Sequence, residues 1–234
     1  TLGGGGHTLA LAQRVVPDGR VLSVDLDATA LDRVEPLIGE LPVTLAQANF
    51  TAIPAMLAQL ELSHVDGILL DLGISSDQLA DAHRGFGFQT EGELDLRFDP
   101  TDGEPAWELL SYINERHLAD LIYKYGEERH SRRIARRIIE KRKEAPIRTA
   151  DQLAAIVRGC VPRSRGHQID PATRTFQALR IAVNEELASL EKALSDLPNH
   201  LADGGRLAII SFHSLEDRIV KHAFKEDSRL EVLT

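Results

Sequence analysis

Four consecutive glycines, Gly3 to Gly6, stand near the start of the sequence and lead into an apolar stretch that runs to Val16. This pattern predicts a glycine turn entering a helix, where the missing side chains let a ligand approach the backbone closely. The first N–H groups of such a helix point at that ligand. Asp25 follows Gly5 by 20 positions and ends a predicted strand, where an acid can accept both ribose hydroxyls of a nucleotide. The pattern suits a dinucleotide or S-adenosylmethionine, and a glycine turn without a ligand is the structural alternative.

Two other nucleotide-binding patterns fail in this sequence. The dinucleotide pattern G-x-G-x-x-G, begun at Gly3, requires a small residue at position 8, where Thr8 stands. No G-x-x-x-x-G-K-[ST] segment exists, so a P-loop is excluded. Residues that assist hydride transfer are also missing. These observations disfavour a nicotinamide oxidoreductase, while the glycine motif alone does not decide between S-adenosylmethionine and a turn without a ligand.

Polar and aromatic residues follow two further predicted strands. Asn49 and Phe50 come after the strand at 43–47, and Asp71 ends the apolar strand at 65–70. Ligands of open α/β sheets bind beyond the carboxyl ends of the strands. Phe50 can therefore lie against an adenine face, and Asp71 can hold an ammonium group. Any one of these residues alone can instead cap a helix.

Alternating strands and helices in the first third of the chain predict a doubly wound α/β fold. A long loop rich in Gly, Asp and Phe follows at 73–105, and the pattern then becomes helical to Leu197. A strand at 206–211 and a helix from Ser214, capped by Ser214 and Asp217, resume the α/β pattern. We predict an α/β domain at 1–105 and 188–234, interrupted by a helical domain at 106–187. Because no strand precedes Thr1 and a last strand begins near Leu230, we expect the native protein to extend beyond both ends.

Composition and charge limit the kinds of partner and the compartment that the sequence allows. The 234 residues carry a net charge of −9 and one cysteine, so an intrachain disulfide and a Cys-rich zinc site are excluded. No apolar run approaches the ~20 residues of a membrane span, which makes the cytoplasm the expected compartment. The charge is uneven, because 14 lysines and arginines stand against four acids between positions 129 and 180. Such a block favours phosphate contact, and a solvated helix face is the alternative.

Six dispersed strings resemble those of the RsmH (MraW) family over essentially the whole chain. They are Asp71–Leu79, Arg84–Gln89, Leu94–Arg97, Tyr125–Arg129, Pro171–Arg180 and Ser211–Arg218. The resemblance implies a class I (Rossmann-like) methyltransferase sheet with an inserted all-helical domain. It implies an S-adenosylmethionine-dependent enzyme that methylates the N4 amine of a cytidine in the decoding region of small-subunit (16S) rRNA, and that can form homodimers. The implied cofactor contacts are Gly5, Gly6, His7, Asp25, Phe50, Asp71 and Gln78.

Methylating an exocyclic cytosine amine requires an acceptor for its N–H groups, because the nitrogen lone pair is delocalised into the ring. Many amino-methyltransferases use a D/N-P-P-Y/F/W loop, but here that place reads Asp71-Leu72-Gly73-Ile74. We predict Asp71 and the carbonyls of this turn as acceptors. His213 is a second catalytic candidate, with a helix-entry hydrogen bond as its alternative. Phe86 and Phe88 either stack on the target base or anchor their loop.

The basic block supplies the predicted RNA contacts. On a helix, Ile134, Ala135, Ile138 and Ile139 form an apolar stripe with arginines on both sides. The predicted RNA-binding residues are Arg132, Arg133, Arg136, Arg137, Arg174, Gln177, Arg180 and Asn184, with Arg163 and Arg165 adding charge. No metal site is predicted. The alternatives are a ribosome-assembly factor that binds RNA with little activity, and a methyltransferase for another nucleic acid or a protein.

Overall fold

The computed structural model of the chain describes residues 1–88, 92–161 and 170–233. It divides into two compact units. Thr1–Ser75 and Leu187–Thr234 form the first, which we call the α/β unit, and Ser76–Glu186 form the second, which we call the helical unit. In sequence, the helical unit therefore lies between the two parts of the α/β unit.

Eleven α-helices and four strands are found in the described residues. The strands are β1 (Val21–Asp25), β2 (Val43–Gln47), β3 (Val65–Asp71) and β4 (Leu201–Ile210). The helices are α1 (Gly6–Val15), α2 (Ala28–Ile38), α3 (Ile53–Gln59), α4 (Ser76–Ala80), α5 (Ala106–Tyr112), α6 (Glu115–Gly126), α7 (Ser131–Glu144), α8 (Ala150–Arg158), α9 (Thr173–Val183), α10 (Glu186–Asp196) and α11 (Ser214–Glu226). Short 3-10 turns span Phe50–Ala52 and Leu197–His200.

The strands of the α/β unit pair in parallel, which confirms the mixed α/β prediction. β1 pairs with β2, and β3 pairs with β4 so that Asp71 lies opposite Ile210. The four strands form two separate two-stranded sheets, whereas the sequence predicted one doubly wound sheet. No strand of the described residues lies between β1 and β3. At the ends of these strands, the N–H groups of Leu2 and Gly3 donate to the Asp25 carboxylate, and the N–H of Asp71 donates to the Thr1 hydroxyl.

Two apolar clusters hold the α/β unit together. The larger one joins β3, β4, α10 and α11, and the smaller one packs α2 against β2 and Leu2. Fully burying one such side chain stabilises the fold by about 1.5–3 kcal/mol. The predicted C-terminal strand near Leu230 is absent from residues 230–233, which have no regular structure. β4 is also longer than predicted, since it begins at Leu201 and includes Gly204 and Gly205.

In the helical unit, α6 packs against both α7 and α9. The apolar stripe of α7 is confirmed, because Ile134, Ala135 and Ile138 are fully buried. α6 approaches α9 closely at Gly126, where any side chain would collide with the carbonyl oxygen of Arg174. Glycine at this position therefore permits the close contact between α6 and α9.

Most of the long loop belongs to the helical unit, although the sequence predicted it as part of the α/β domain. Leu94 and Leu96 are almost completely buried there. The N–H of Leu94 donates to the carbonyl of Arg148 at 2.8 Å, and Glu93 forms an antiparallel bridge with Thr149. Such tertiary anchors leave no periodic pattern in a sequence, so composition alone cannot show them.

An ion pair connects α8 to the start of α9 and makes stability depend on pH. Arg158 donates to Asp170 at 2.6 Å, and this hydrogen bond lowers the pKa of Asp170. A carboxyl with a lowered folded-state pKa stabilises above its unfolded pKa, and this contribution is lost as pH falls through the folded value. We expect Asp170→Asn to destabilise the protein by about 1 kcal/mol at pH 7. Thermal unfolding from pH 7 down to about pH 2.5 should show that difference shrinking, because wild-type Asp170 becomes protonated.

Asp203→Asn, at an exposed position in β4, is the matched control and should leave stability unchanged. A destabilisation by Asp170→Asn that stays constant down to pH 2.5 would show that the ion pair is not its cause.

Candidate functional site

The glycine turn has the geometry that the sequence predicts. Gly5 adopts φ +81° and directly precedes α1, and its N–H donates to the carbonyl of Leu2 at 2.8 Å. A Cβ at Gly5 would lie 2.8 Å from Cγ2 of Val34, so both the backbone angle and the space require glycine. Nothing lies within 4 Å of the corresponding position at Gly6. The N-terminus of α1 is therefore open to a ligand on the Gly6 side and tightly packed on the Gly5 side.

Asp25, at the carboxyl end of β1, holds this turn in place. One carboxylate oxygen accepts from the N–H groups of Leu2 at 3.1 Å and Gly3 at 2.9 Å. The other oxygen accepts from the N–H of Asp27 at 3.0 Å. A carboxylate offers about four acceptor sites, so capacity remains for a hydroxyl donor. Asp25 thus orders the glycine turn, and it can also accept from a ribose.

Thr8 explains why the dinucleotide pattern fails. Its buried hydroxyl hydrogen-bonds to the hydroxyl of Ser23 at 2.8 Å. This contact joins α1 directly to β1, at the position where dinucleotide-binding proteins use a small residue for close helix–strand packing. A polar pair replaces that packing here.

Asp71 ends β3 and carries an oxygen without a partner. Its Oδ1 atom is buried and has no hydrogen bond to any described residue, while Oδ2 lies 3.3 Å from Nδ1 of His7. The Thr1 hydroxyl contacts the backbone of Asp71. Leaving a buried acceptor without a donor costs about 1–3 kcal/mol, and more when the group is charged. An ammonium group would satisfy it, so the site fits the cationic end of the methionine moiety of S-adenosylmethionine.

Asn49 and Phe50 lie beyond β2. Asn49 accepts from the N–H of Thr51 at 2.9 Å and donates to the hydroxyl of Ser189 at 3.3 Å. Phe50 is partly buried against the larger apolar cluster, which leaves part of its ring accessible. Asn49 therefore positions the turn that carries Phe50.

The predicted cofactor residues fall into two groups. Gly5, Gly6, His7, Asp25, Phe50 and Asp71 all belong to the α/β unit, at the glycine turn or at the carboxyl ends of β1, β2 and β3. Gln78 is buried in α4 of the helical unit. Its contact with the cofactor stays a prediction.

Phe86 and Phe88 pack inside the helical unit. Phe86 is 4% exposed and stacks on Phe98 with ring centroids 6.2 Å apart. Phe88 contacts Phe176 edge to face at 4.9 Å. These contacts are those of the loop-anchoring alternative. Since Phe86 shows no open ring face, base stacking by this residue has no support in the structure.

His213 also has the structural role that the sequence offered as its alternative. Its Nδ1 accepts from the N–H of Glu216 at 3.4 Å, and Glu216 accepts from the N–H of His213 in return. The two residues form a capping box at the start of α11. The predicted box of Ser214 and Asp217 is wrong by one position, because His213 and Glu216 form the box and histidine is not among the usual N-cap residues. A catalytic role for His213 stays a prediction.

Four predicted RNA-binding arginines lie on the exposed side of α7. Arg132, Arg133, Arg136 and Arg137 are all exposed and flank the buried stripe. Arg136 lies 3.7 Å from Glu115, and Arg137 donates to Glu140 at 3.2 Å. Both are exposed pairs, which are weak and leave the cations available to phosphates.

The other predicted RNA contacts are largely engaged within the helical unit. Arg180 forms a buried two-bond pair with Glu186, at 2.8 and 3.0 Å. Asn184 accepts from the N–H of Phe98 and donates to the carbonyl of Leu96. Gln177 donates to the carbonyl of Tyr125 in the last turn of α6, and Arg174 donates to the carbonyl of Glu127 directly after that helix. Of these two side chains, only Arg174 is exposed. Arg163 and Arg165 lie outside the described residues.

Comparison with known proteins decides the family. The family model described as the MraW methylase family matches residues 1–233. This chain belongs to the MraW methylase family. Three relatives named "Ribosomal RNA small subunit methyltransferase H" show how far the likeness extends. The Rhodopirellula baltica protein is 50% identical over all of this chain and 75% of its own length. The Syntrophus aciditrophicus protein is 48% identical over 96% of this chain and 72% of its own length. The Fervidobacterium nodosum protein is 45% identical over 99% of this chain and 79% of its own length.

As a member of the MraW methylase family the chain is a methyltransferase. None of the helices in the described ranges is long and apolar enough to cross a membrane.

Sequence reasoning missed one residue of interest in this fold. Phe212, two positions beyond β4, is 69% exposed. The signal was an aromatic residue directly after a strand end, the same signal that singled out Phe50.

Proposed function

We propose that this chain transfers the methyl group of S-adenosylmethionine to the N4 amine of a cytidine in the decoding region of 16S rRNA, in the small ribosomal subunit. Family membership and the printed names of the relatives support methylation of small-subunit rRNA. The observation that carries the choice of cofactor is the buried, unpartnered Oδ1 of Asp71. The ribosomal substrate would place this activity in the cytoplasm, and homodimer formation stays a prediction.

The donor set of the α/β unit fits this cofactor. Asp71 would hold the ammonium group, Asp25 would accept from the ribose, and Phe50 would lie against the adenine. The open side of the glycine turn at Gly6 gives the backbone close access. When bound, S-adenosylmethionine supplies an electrophilic methyl group on a positively charged sulfur.

The chain must also activate a poor nucleophile. The N4 nitrogen gains nucleophilicity when its N–H groups donate to fixed acceptors and the lone pair is freed from the ring. Asp71 and the carbonyls of Leu72 and Gly73 stand at the end of β3, where they would accept these hydrogen bonds. The rest of the work is positioning, with nitrogen and methyl carbon in line at about 3–3.5 Å.

The exposed arginines of α7 would bind phosphates of the substrate. We expect the quadruple change of Arg132, Arg133, Arg136 and Arg137 to Gln to weaken binding of small subunits at least about tenfold near 0.1 M salt. Removing four cations that contact phosphates should also reduce the steepness of the plot of log affinity against log salt concentration by about 3. Filter binding over a salt series measures both quantities.

A matched control removes four exposed positive charges from the α/β unit instead. It changes Arg14, Lys192, Lys221 and Lys225 to Gln. The control should retain both the affinity and most of the slope. Equal behaviour of the two variants would mean that net charge, and not the α7 surface, governs binding.

A further inference from the structure

An aromatic side chain lies exposed at the carboxyl edge of the β3–β4 sheet. Phe212 is 69% exposed, the highest exposed fraction among the large apolar side chains reported for the described residues. A single exposed apolar side chain is common on protein surfaces, so it is the place of this ring beside a strand end that points to a ligand surface. The other phenylalanines considered for the base are engaged, since Phe86 stacks on Phe98 and Phe88 contacts Phe176 edge to face.

The register of the sheet places Phe212 beside the predicted acceptor turn. Asp71 lies opposite Ile210, and the N–H of Leu72 donates to the carbonyl of Ile210 at 3.0 Å. Gly73 and Phe212 each lie two residues beyond the last residue of their strand, and the ring of Phe212 lies next to Gly73. A Cβ at Gly73 would lie 3.4 Å from Cδ2 of this ring. The ring and the carboxylate of Asp71 thus lie at the same edge of the α/β unit, where open sheets bind ligands.

The backbone that carries the ring is fixed. The N–H of Phe212 donates to Glu216 at 2.9 Å, and Glu216 also forms the capping box with His213. On the opposite side, Gly73 holds φ +85°, a conformation that favours glycine. The backbone on both sides of the ring is therefore already ordered before a ligand arrives.

We propose that Phe212 is the platform on which the target pyrimidine base stacks. This inference rests on the proposed function, since it names the residue that holds the base at that same site. A neutral ring beside a carboxylate suits an uncharged, flat base that offers N–H groups to the acceptors. Stacking holds the base before and during the reaction, so its loss affects binding of the RNA more than turnover.

The test compares Phe212→Leu with Phe212→Tyr. We expect Phe212→Leu to raise the KM for small subunits about 5- to 150-fold, with a smaller effect on kcat and no change in affinity for S-adenosylmethionine. Phe212→Tyr keeps the ring and should stay close to wild type. Leu37→Ala, at a 59% exposed position of α2, is the control for losing an exposed apolar side chain. An unchanged KM in a folded Phe212→Leu protein would overturn the inference.

A fluorescence measurement decides the same question without activity. The chain has one tryptophan, so Trp107→Phe combined with Phe212→Trp places a single reporter at the platform. Stacking predicts quenching when small subunits are added, whereas unchanged fluorescence in the presence of bound subunits contradicts it. If wild type transfers no methyl group, the proposed function fails; if wild type is active and Phe212→Leu equals it, this inference alone fails.

Discussion

Replacing Asp71 by asparagine should weaken binding of S-adenosylmethionine about 10- to 150-fold, because a hydrogen bond to a charged group contributes about 1.5–3 kcal/mol. Asparagine keeps the shape of the side chain but removes its charge and turns one oxygen into a donor. That donor would face the ammonium group at the buried position that Oδ1 now occupies. If Asp71 also accepts from the cytidine amine, kcat falls in addition. Calorimetric titration and single-turnover methyl transfer measure the two effects separately.

Asp66→Asn is the matched control for this change. Asp66 lies on the same strand, β3, and is exposed. The control removes the same charge and should leave both cofactor affinity and turnover intact. Near-wild-type affinity and turnover in Asp71→Asn would exclude both roles that we assign to Asp71.

Replacing Gly5 by alanine should destabilise the fold and abolish cofactor binding together. The left-handed backbone costs an alanine about 1–2 kcal/mol, and overpacking a tight site costs about 1–3 kcal/mol more. The collision arises because a Cβ at Gly5 would lie 2.8 and 2.9 Å from the two methyl groups of Val34. We expect a loss of about 2–5 kcal/mol in the free energy of unfolding, measured by urea denaturation, and no detectable cofactor binding.

Two further glycines separate the causes. Gly204 has a similar φ of +78° with nothing within 4 Å, so Gly204→Ala should show only the backbone cost and bind cofactor normally. Gly6→Ala meets neither strain nor collision and should not lower stability, since alanine favours a helix. A Gly5→Ala protein as stable as Gly6→Ala would contradict the packing described for the turn.

The parts of the site that the sequence predicted are those fixed by local rules. The glycine run, Asp25 and Asp71 are recognisable because each follows from where a strand ends or a helix begins. The stripe of α7 was predicted for the same reason, since Ile134 and Ile138 follow the period of a helix. These signals need only a short window of sequence.

The parts that only the structure shows depend on tertiary contacts. Leu94 and Leu96 anchor the long loop in the helical unit through burial that has no period. For Phe86 the sequence left base stacking and loop anchoring open, and its anchoring partner Phe98 lies twelve residues away in an irregular segment. Arg180 looked like an RNA contact because it is a cation in a basic block, and its pair with Glu186 is visible only in the structure. Phe212 was missed although it is an aromatic residue after a strand, as Phe50 is, and its exposure is visible only in the structure.

The most direct test of the proposed function is methyl transfer to small ribosomal subunits that lack the modification. The wild-type chain is incubated with radiolabelled S-adenosylmethionine, and the nucleosides of the digested 16S rRNA are identified by mass spectrometry. We predict that the label appears in a single nucleoside, N4-methylcytidine, within the decoding region. Label in another nucleoside, in ribosomal protein, or in nothing while the cofactor binds would contradict the proposal.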